Sequence, residues 1–522
     1  MPKSSRLCWL MALSAMAVFS ASLAVGCEGL FTDLEDIEPR CDTDGDGEFG
    51  GGVGSQADPY RICTAEHIHS IGDRTGHLDD HFRLLADIDF GGEKLEPIEF
   101  GNDGFEGTFD GWGHSIANVE LAPPEDEPLQ PVGLFRMTEE AATIQNLQFE
   151  NVTSSGALSV GTLVGLHRGT IEDVSVTGDV SGALGIGAIA GALEGADASI
   201  RNSSVDADVS ATSFAGGITG TNQGTIEDVT VSGSVSATGD EMGGGGQLPA
   251  IRTTGGAVAT NDHRLENVVV DADVFASGPL TQDQTEIVTV GGVAGVNAGE
   301  IVTSRAGGDV ESSSDEPLDA TGLGAVGGLV GSNEGRIDRS VATGSIQLQR
   351  QMGGDDPFVR YLAGGLVGRN TGELTDCAAT GATEATVDGV VSQLLAEPTA
   401  AAALVGEHGE DEDWDDENDN DDELDPPDVD LTITNCYGAG PVADAQQRGG
   451  LIAHLGDGNP SVNNSYWDID TTGVDADKDS GQIGTDLSTE DFEHEGNFTG
   501  WDFASTWQIG EAADGEQRPV LQ

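Results

Sequence analysis

One short pattern returns along most of the chain: an aliphatic anchor, two intervening residues, then Val, Ser or Cys, one further residue and an apolar residue. The anchors are Ile116, Ile144, Ile171, Ile200, Ile226, Leu265, Ile301, Ile337, Leu374, Ile433 and Val462. Neighbouring anchors are 28, 27, 29, 26, 39, 36, 36, 37, 59 and 29 residues apart, which fits a base period of 26 to 29 residues with insertions. Such a period indicates stacked repeats, not several independent globular domains.

Ahead of the anchors lie aliphatic phrases bounded by glycine, such as "GGLVG" from Gly327 and again from Gly364. Short β-branched runs between glycines predict strands. The 77 glycines and 5% aromatic residues leave bulk for only a thin core, and stacked copies bury an apolar edge that one repeat cannot. We therefore predict an all-β fold, a right-handed parallel β-helix (β-solenoid) of about eleven coils with loop insertions and end caps.

Five asparagines precede anchors by four residues, usually with a glycine two positions later: Asn222, Asn261, Asn297, Asn333 and Asn370. Because Asn and Gly both tolerate positive φ, we expect this column to form a stacked corner with an asparagine ladder. A row of ligand-binding amides is the functional alternative. In one coil His263 replaces the corner glycine, and we expect that coil to be irregular.

The first 26 residues have the features of an export signal, with a basic start and a long apolar run before Cys27. The sequence "LAVGC" resembles the bacterial lipobox, which implies that Cys27 is lipidated and anchors the protein to a membrane without spanning it. Ala24 stands where the lipobox usually has Leu, so a plain secretory signal remains an alternative.

These patterns divide the chain into seven segments. They are a signal peptide (1–26), an acidic spacer after lipidated Cys27 (27–53), an N-terminal cap segment (54–121), solenoid repeats (122–406), an acidic disordered loop (407–430), the last coils (431–470) and a closing segment (471–522). The acidic loop contains 15 acidic residues, which is typical of a solvated, unstructured segment. The insertions that start at Ser236 and Glu311 are expected to emerge along one side of the rod.

Apart from Cys8 and Cys27, the chain has four cysteines, an even number that predicts disulfides in an exported protein. Cys41 can pair with Cys63. Cys377 and Cys436 occupy the same repeat position in successive coils, and stacked residues lie near 4.8 Å, within reach of a disulfide. Zinc is a weaker interpretation because the cysteines lack the close spacing of zinc ligands.

The formal charge of −71 repels phosphate groups, so nucleic acid is excluded as a partner. Asp42, Asp44 and Asp46 precede Gly47 in the spacing of the first half of a calcium loop. The twelfth loop position is Val53 where a calcium loop has Glu, so a weak Ca²⁺ site and a simple acidic spacer both remain open. No other cofactor is predicted.

The repeats reach a known motif at Gly328–Gly331 and Gly365–Gly368, where "GLVG" resembles the GLUG motif of bacterial surface and secreted proteins. The flanking segments "FEGTFDGWGHSIANVEL" and "NSYWDIDTTG" resemble those that usually precede and close such repeats. The resemblance implies a parallel β-helix-like region on an extracellular or envelope protein. It implies no particular ligand.

Candidates for catalysis are few. Asp110 and His114 in "FDGWGH" could form an acid/base pair, but they lie in a turn of the cap segment and we favour a structural role. His408 and His494 lack metal-ligand spacing and are interpreted as exposed polar residues. We find no zinc-protease, nucleophile-elbow or phosphate-loop motif.

Aromatic residues gather near the C-terminus, and we expect them to close the end of the core, with a sugar-stacking surface as the alternative: Trp467, Phe498, Trp501, Phe503 and Trp507. The whole pattern predicts a non-catalytic lipoprotein exposed on a bacterial cell envelope, with an adhesive or structural role and an extracellular glycan or surface protein as partner. A carbohydrate-active β-helix enzyme, either hydrolase or lyase, is the alternative function, and secretion is the alternative location.

Overall fold

The computed structural model describes residues 40–41, 48–72, 78–101, 103–239, 250–277, 286–314, 322–352, 359–389, 399–409, 431–443, 445–455, 461–475 and 483–522. These residues form a 35-stranded sheet, a ten-stranded sheet and one two-stranded hairpin. Parallel pairing between successive coils arranges the strands in five rows. The first four rows belong to the large sheet and the fifth row is the ten-stranded sheet.

The first row holds the anchors and comprises Tyr60–Ile62, Phe82–Leu84, Thr108–Asp110, Arg264–Val270, Glu300–Val302, Arg336–Asp338, Glu373–Thr375, Thr432–Thr434 and Ser461–Asn463. Arg264–Val270 continues into the second row, and four longer strands also begin in the first row and continue into later rows, namely Thr143–Ser155, Thr170–Gly187, Ser199–Gly216 and Thr225–Ala237. The second row comprises Ile88–Asp89, Ser115–Ala117, Arg305–Ala306, Val341–Ala342, Ala378–Ala379, Tyr437–Gly438, Tyr466–Asp468 and Thr485–Leu487.

The third row comprises Lys94–Leu95, Glu120–Leu121, Asp273–Ala276, Val310–Ser313, Ile346–Met352, Thr383–Gly389 and Val442–Ala443. The fourth comprises Leu158–Val160, Ala250–Gly255, Glu286–Gly291, Gly322–Gly327, Val359–Gly364, Thr399–Ala402 and Gln447–Gly449. The fifth comprises Phe135–Met137, Val164–His167, Ala190–Leu193, Thr219–Asn222, Val258–Asn261, Ala294–Asn297, Val330–Asn333, Val367–Asn370, Val405–His408 and Ile452–Leu455.

Register between coils confirms the parallel β-solenoid. From Ile144 to Val462 each anchor pairs directly with the next, including Leu374 with Ile433 across 59 residues. The alignment of Ile116 is wrong, because it pairs with Phe149 in the second row while Phe109 pairs with Ile144. Both rows alternate apolar and polar residues, so the pattern alone could not separate them.

The backbone turns from the first row to the second two residues after each anchor. The residues there have φ between 47° and 55°, and they are Asn146, Asp173, Asn202, Asp228, Asn267, Thr303, Arg339, Asp376, Asn435 and Asn464. Asn and Asp are the side chains that accept this left-handed conformation most readily. The other asparagine column lies where fifth-row strands end and the chain turns into the first row, so the predicted stacked corner is confirmed, although its five asparagines do not have positive φ.

That inner column nevertheless forms the predicted asparagine ladder. The side-chain amide of Asn222 donates to Asn261, Asn261 to Asn297 and Asn297 to Asn333, each at 2.7 Å. Asn333 donates to Asn370 at 2.6 Å, and all five residues are fully buried. The coil with His263 keeps its register on both sides, so the expected irregularity is wrong.

A second internal column contains Ser and Cys, three positions after the anchors: Ser203, Ser304, Ser340, Cys377, Cys436 and Ser465. Each side chain donates to the backbone carbonyl two residues earlier, at 2.8–3.2 Å. Cys377 and Cys436 lie in successive coils as predicted, but both are buried free thiols, so the predicted disulfide is wrong. Each sulfur takes the serine's place in the column and contacts the carbonyl of its own coil.

At the N-terminal end Cys41 and Cys63 form a disulfide with a Cα–Cα distance of 6.2 Å. The helix Ala65–His69 follows and buries Ile68 against the core. No helix in the described ranges combines the length and the apolar character required to cross a membrane.

The closing segment comprises helices Ile469–Thr472 and Thr489–Phe492, the 3-10 turn Glu495–Asn497 and an antiparallel hairpin of Trp507–Glu511 with Gln517–Leu521. Trp467 lies in the main core, whereas Tyr466, its neighbour on the opposite strand face, packs with Trp501 and Trp507 in a separate cluster. Phe498, Trp501 and Trp507 therefore cover the outer side of the last coils and do not close the end of the core, whereas Trp467 lies inside the core of the last coil.

Candidate functional site

Trp112 is the most exposed aromatic side chain among the described residues, with 44% of its surface accessible. It lies in the turn after strand Thr108–Asp110 and has a φ of 50°. A bulky residue with positive φ is uncommon, and such conformations concentrate at functional sites. The Trp112 turn and its surroundings are therefore the candidate site.

Neighbouring groups hold the Trp112 turn in place. The backbone N–H of Trp112 donates to the Asp110 carboxylate at 3.0 Å, and the side-chain amide of Asn146 donates to the same oxygen at 3.1 Å. Arg83 pairs with the other Asp110 oxygen at 3.1 Å, and its guanidinium lies 5.4 Å from the centre of the Trp112 ring. Gly111 is required because a Cβ there would lie 2.4 Å from the Asn146 carbonyl oxygen.

A shallow open groove of about 590 Å³ begins at Trp112 and continues along the outside of the corner between the first and second rows. Polar side chains from three successive coils line it: Asn146 and Gln148, then Asp173 and Ser175, then Asn202 and Ser204. These side chains are exposed or half-buried. Since the coils are in register, the groove presents the same pair of positions once per coil.

The arrangement of Asp110 and His114 does not form an acid/base pair. His114 Nδ1 lies 3.0 Å from Asp87, whose pKa is lowered by the N–H of Ser115 and by this histidine. Asp110 is buried and has both oxygens engaged. These contacts agree with the structural role favoured for both residues.

Most of the other candidate residues are inaccessible, and His494 is the exception. The asparagine ladder is buried, so its amides cannot meet a ligand. Trp467, Trp501 and Trp507 are 2%, 8% and 0% exposed, so none of these three indole rings offers an open face to a sugar. His494 is exposed as predicted.

Glu407 and His408 correct the boundary of the acidic loop, because both are fully buried in strand Val405–His408. The interpretation of His408 as an exposed polar residue is therefore wrong. Glu407 accepts a charged hydrogen bond from Arg360 at 2.5 Å, and burial raises its pKa despite that cation. His408 follows Asn370 at the end of the ladder, with 2.9 Å between Nδ1 and the amide nitrogen. Burial lowers the pKa of His408 to about 4 and that of His167, in an earlier coil, to about 3.

Within the described ranges, no group of three or more His, Cys, Asp or Glu side chains is placed to hold a metal ion. The proposed calcium ligands Asp42, Asp44 and Asp46 and the lipidation residue Cys27 lie outside the described residues. Calcium binding and lipidation therefore stay predictions.

Five insertions interrupt the chain at the same corner of the solenoid, between the third and fourth rows. Five segments outside the described residues each connect a third-row strand to a fourth-row strand: 240–249, 278–285, 315–321, 353–358 and 390–398. This placement agrees with the expectation that insertions share one side. The acidic segment 410–430 connects the fifth row to the first and so belongs to another corner.

The sequence profile of the GLUG motif matches residues 322–347 and 360–384. The chain carries GLUG repeats. Each match runs from the fourth row through the fifth, first and second rows to the third, which is one full coil. The GLUG glycines permit close packing: a Cβ on Gly328 would lie 2.2 Å from the Gly365 carbonyl oxygen, and one on Gly365 2.0 Å from that of Ala403.

Two curated relatives match part of the chain. Halomucin of Haloquadratum walsbyi is 29% identical, over 33% of this chain and 2% of that protein. A candidate Gly-rich membrane protein of Evansella cellulosilytica is 34% identical, over 24% of this chain and 15% of that protein. The GLUG-repeat chain thus spans only a small part of the length of both relatives.

A crystal structure of a candidate immunoglobulin A1 protease from Bacteroides ovatus aligns with 91% of this chain and 96% of its own. The TM-score is 0.36 and the identity 17%, values too low to carry an argument about this chain.

Trp112 is the residue that the sequence analysis missed. The stretch "FDGWGH" was noted for Asp110 and His114, and its tryptophan drew no separate prediction. A usable signal exists, since a tryptophan between two glycines in a polar turn has no apolar neighbour to pack against.

Proposed function

We propose that this GLUG-repeat chain is a non-catalytic cell-envelope lipoprotein in which the solenoid displays an adhesive surface. In this proposal Cys27 carries the lipid anchor, the acidic spacer separates it from the rod, and the rod presents contact surfaces to a glycan or protein outside the cell. The names of the two relatives, a halomucin and a membrane protein, support an envelope location.

One observation carries the adhesive role: the first row stacks thirteen strands in register, and all five third-to-fourth-row insertions return to one corner of that stack. A long stack of hydrogen-bonded coils is a rigid support whose coils differ mainly in what they insert. Recognition residues concentrate on segments that such a scaffold positions.

Catalysis has weaker support from the geometry. Glycoside hydrolysis needs two carboxyl groups facing a shared substrate position. The groove at Trp112 has one lining carboxylate, Asp173, while nearby Asp110 is neutralised by Arg83 and hydrogen-bonded by Asn146. An engaged, buried carboxylate of this kind holds a turn more readily than it transfers protons.

The test uses the purified chain on two panels with the same polysaccharides, one read for binding and one for released product. The proposal predicts binding without turnover. Product formation that rises with protein concentration would contradict it. Lipidation is tested separately by expressing the full chain and its Cys27→Ser variant, which should lose membrane association.

A further inference from the structure

We propose that the groove beginning at Trp112 is a binding site for a neutral glycan, with the Trp112 ring as the stacking platform. This inference rests on the adhesive function proposed above and assigns it a location and a ligand class. No residue of the groove belongs to the GLUG motif matches at 322–347 and 360–384.

The aromatic part of the site is built in an unusual way. Trp112 is held with positive φ by Asp110, Asn146 and the backbone of the next coil, where the N–H of Gly113 donates to the Asn146 carbonyl at 2.9 Å. Arg83 lies over the ring and also pairs with Asp110. The ring is therefore fixed in direction while 44% of its surface stays exposed. A fixed ring loses little conformational freedom when a ligand packs against it.

The polar part of the groove suits a ligand rich in hydroxyl groups. Amides of Asn146, Gln148 and Asn202 offer both donors and acceptors, and the hydroxyls of Ser175 and Ser204 can do either. A sugar ring combines an apolar face with a rim of hydroxyls, which matches a tryptophan face beside such groups. The register of the coils repeats these groups about every 4.8 Å along the rod, so an extended oligosaccharide can lie along it.

Charge selects the class of glycan. The lining contains the carboxylate of Asp173 and no cationic side chain, and the adjacent Arg83 is paired with Asp110. The chain as a whole carries a formal charge of −71. Uronic-acid or sulfated polymers would meet repulsion without a compensating cation, so a neutral glycan is the ligand that fits.

The experiment measures binding of the whole purified chain to a glycan array and then determines Kd for the best neutral oligosaccharide by titration calorimetry. Trp112→Ala is expected to weaken that Kd at least tenfold, and Trp112→Phe less, because it keeps an aromatic face. Leu129→Ala removes another exposed apolar side chain, 64% accessible and outside the groove lining, and serves as the matched control.

Each outcome decides a different claim. Binding of neutral glycans that is lost in Trp112→Ala and kept in Leu129→Ala supports the site. Equal binding by the wild type and Trp112→Ala, or a preference for uronic-acid polymers, overturns the site and leaves the adhesive function intact. Absence of binding to every glycan and to intact cell surfaces overturns both, and thermal melting of Trp112→Ala near the wild-type temperature shows that a lost signal is not unfolding.

Discussion

Trp112, in the turn after the third first-row strand, is 44% exposed, whereas Trp507, in the closing hairpin, is fully buried. Trp507 donates its indole N–H to Asp376 at 3.1 Å and stacks 4.5 Å from Trp501. The Arg83 guanidinium lies over the Trp112 ring, 5.4 Å from its centre. The local sequence does not distinguish the two tryptophans, since polar residues and glycine lie near both.

The difference shows how a solenoid separates support from recognition. Residues that face the next element of the same chain are buried by packing against it, as Trp507 is. Residues at an outer corner are turned away from the core, as Trp112 is, and no other described ring covers them. The same contrast applies to asparagines, which form a buried ladder in the fifth row and an outer column at the corner.

The largest expected effect is the difference in protein stability between alanine substitutions of the two tryptophans. Trp507→Ala should destabilise the closing segment by about 3–5 kcal/mol, because it removes a buried aromatic side chain. Trp112→Ala should cost less than about 1 kcal/mol. Hydrogen exchange of residues 483–522 and thermal melting measure both. A loss of protection in Trp112→Ala as large as that in Trp507→Ala would refute the contrast.

The two asparagine columns sharpen the comparison. Asn297→Ala should cost about 2–4 kcal/mol, since the buried Asn261 amide loses its 2.7 Å acceptor and the buried oxygen of Asn333 loses its 2.7 Å donor. Asn202→Ala, at the outer corner, should cost about 1 kcal/mol because alanine resists the positive φ. Asn202→Gly is the control and should be nearly neutral. Urea unfolding gives the values, and equal costs for Asn297→Ala and Asn202→Ala would contradict the burial argument.

Buried histidine predicts a pH dependence. The folded chain holds His408 neutral down to about pH 4, while the unfolded chain takes up that proton near pH 6.5. Because the unfolded state binds more protons, stability falls as pH decreases between these values, by roughly 2–3 kcal/mol for this residue. His408→Asn continues the asparagine ladder and should lose less stability between pH 7 and pH 4.5. An unchanged pH response, measured by urea midpoints, would exclude His408 as the cause.

The smallest effect concerns the Ser/Cys column. Cys377→Ser and Cys436→Ser should change stability by less than about 1 kcal/mol, because serine fills the equivalent position at Ser340 and Ser465 and makes the same hydrogen bonds. Non-reducing peptide mapping should find the Cys41–Cys63 disulfide and two free thiols. A Cys377–Cys436 peptide would contradict the structure.

Much of the fold could be predicted from spacing, because the anchors, the asparagine column and the cysteine position each recur once per coil. The register at the N-terminal cap could not be predicted. Phe109 and Ile116 both lie in strands that alternate apolar and polar residues, and these strands differ only in the row they occupy. The asparagine column lies at a corner as predicted, but the left-handed conformation belongs to the column two residues after each anchor, and residue type alone could not separate the two because both contain asparagine. The disulfide failed because proximity of two cysteines does not fix where their sulfur atoms point.

The candidate site was harder to predict than the fold. Trp112 is a candidate binding residue because it is exposed, because Arg83 lies against it from one coil earlier in the stack, and because polar groups line the groove one, two and three coils later. Those neighbours are separated from it by up to 92 residues in sequence, as Ser204 is. A local sequence pattern therefore cannot show that these residues are neighbours until the register of the coils is known.

The stack itself is tested most directly by distances between spin labels on the outward position after the anchor. With one label at Glu172 and the second at Asp338, Thr375 or Thr434, the residues are five, six and seven coils apart. At about 4.8 Å per coil the separations should be about 24, 29 and 34 Å. The step from Thr375 to Thr434 should add only one coil although 59 residues lie between them; a larger step, or distances that do not rise with coil number, would contradict the solenoid.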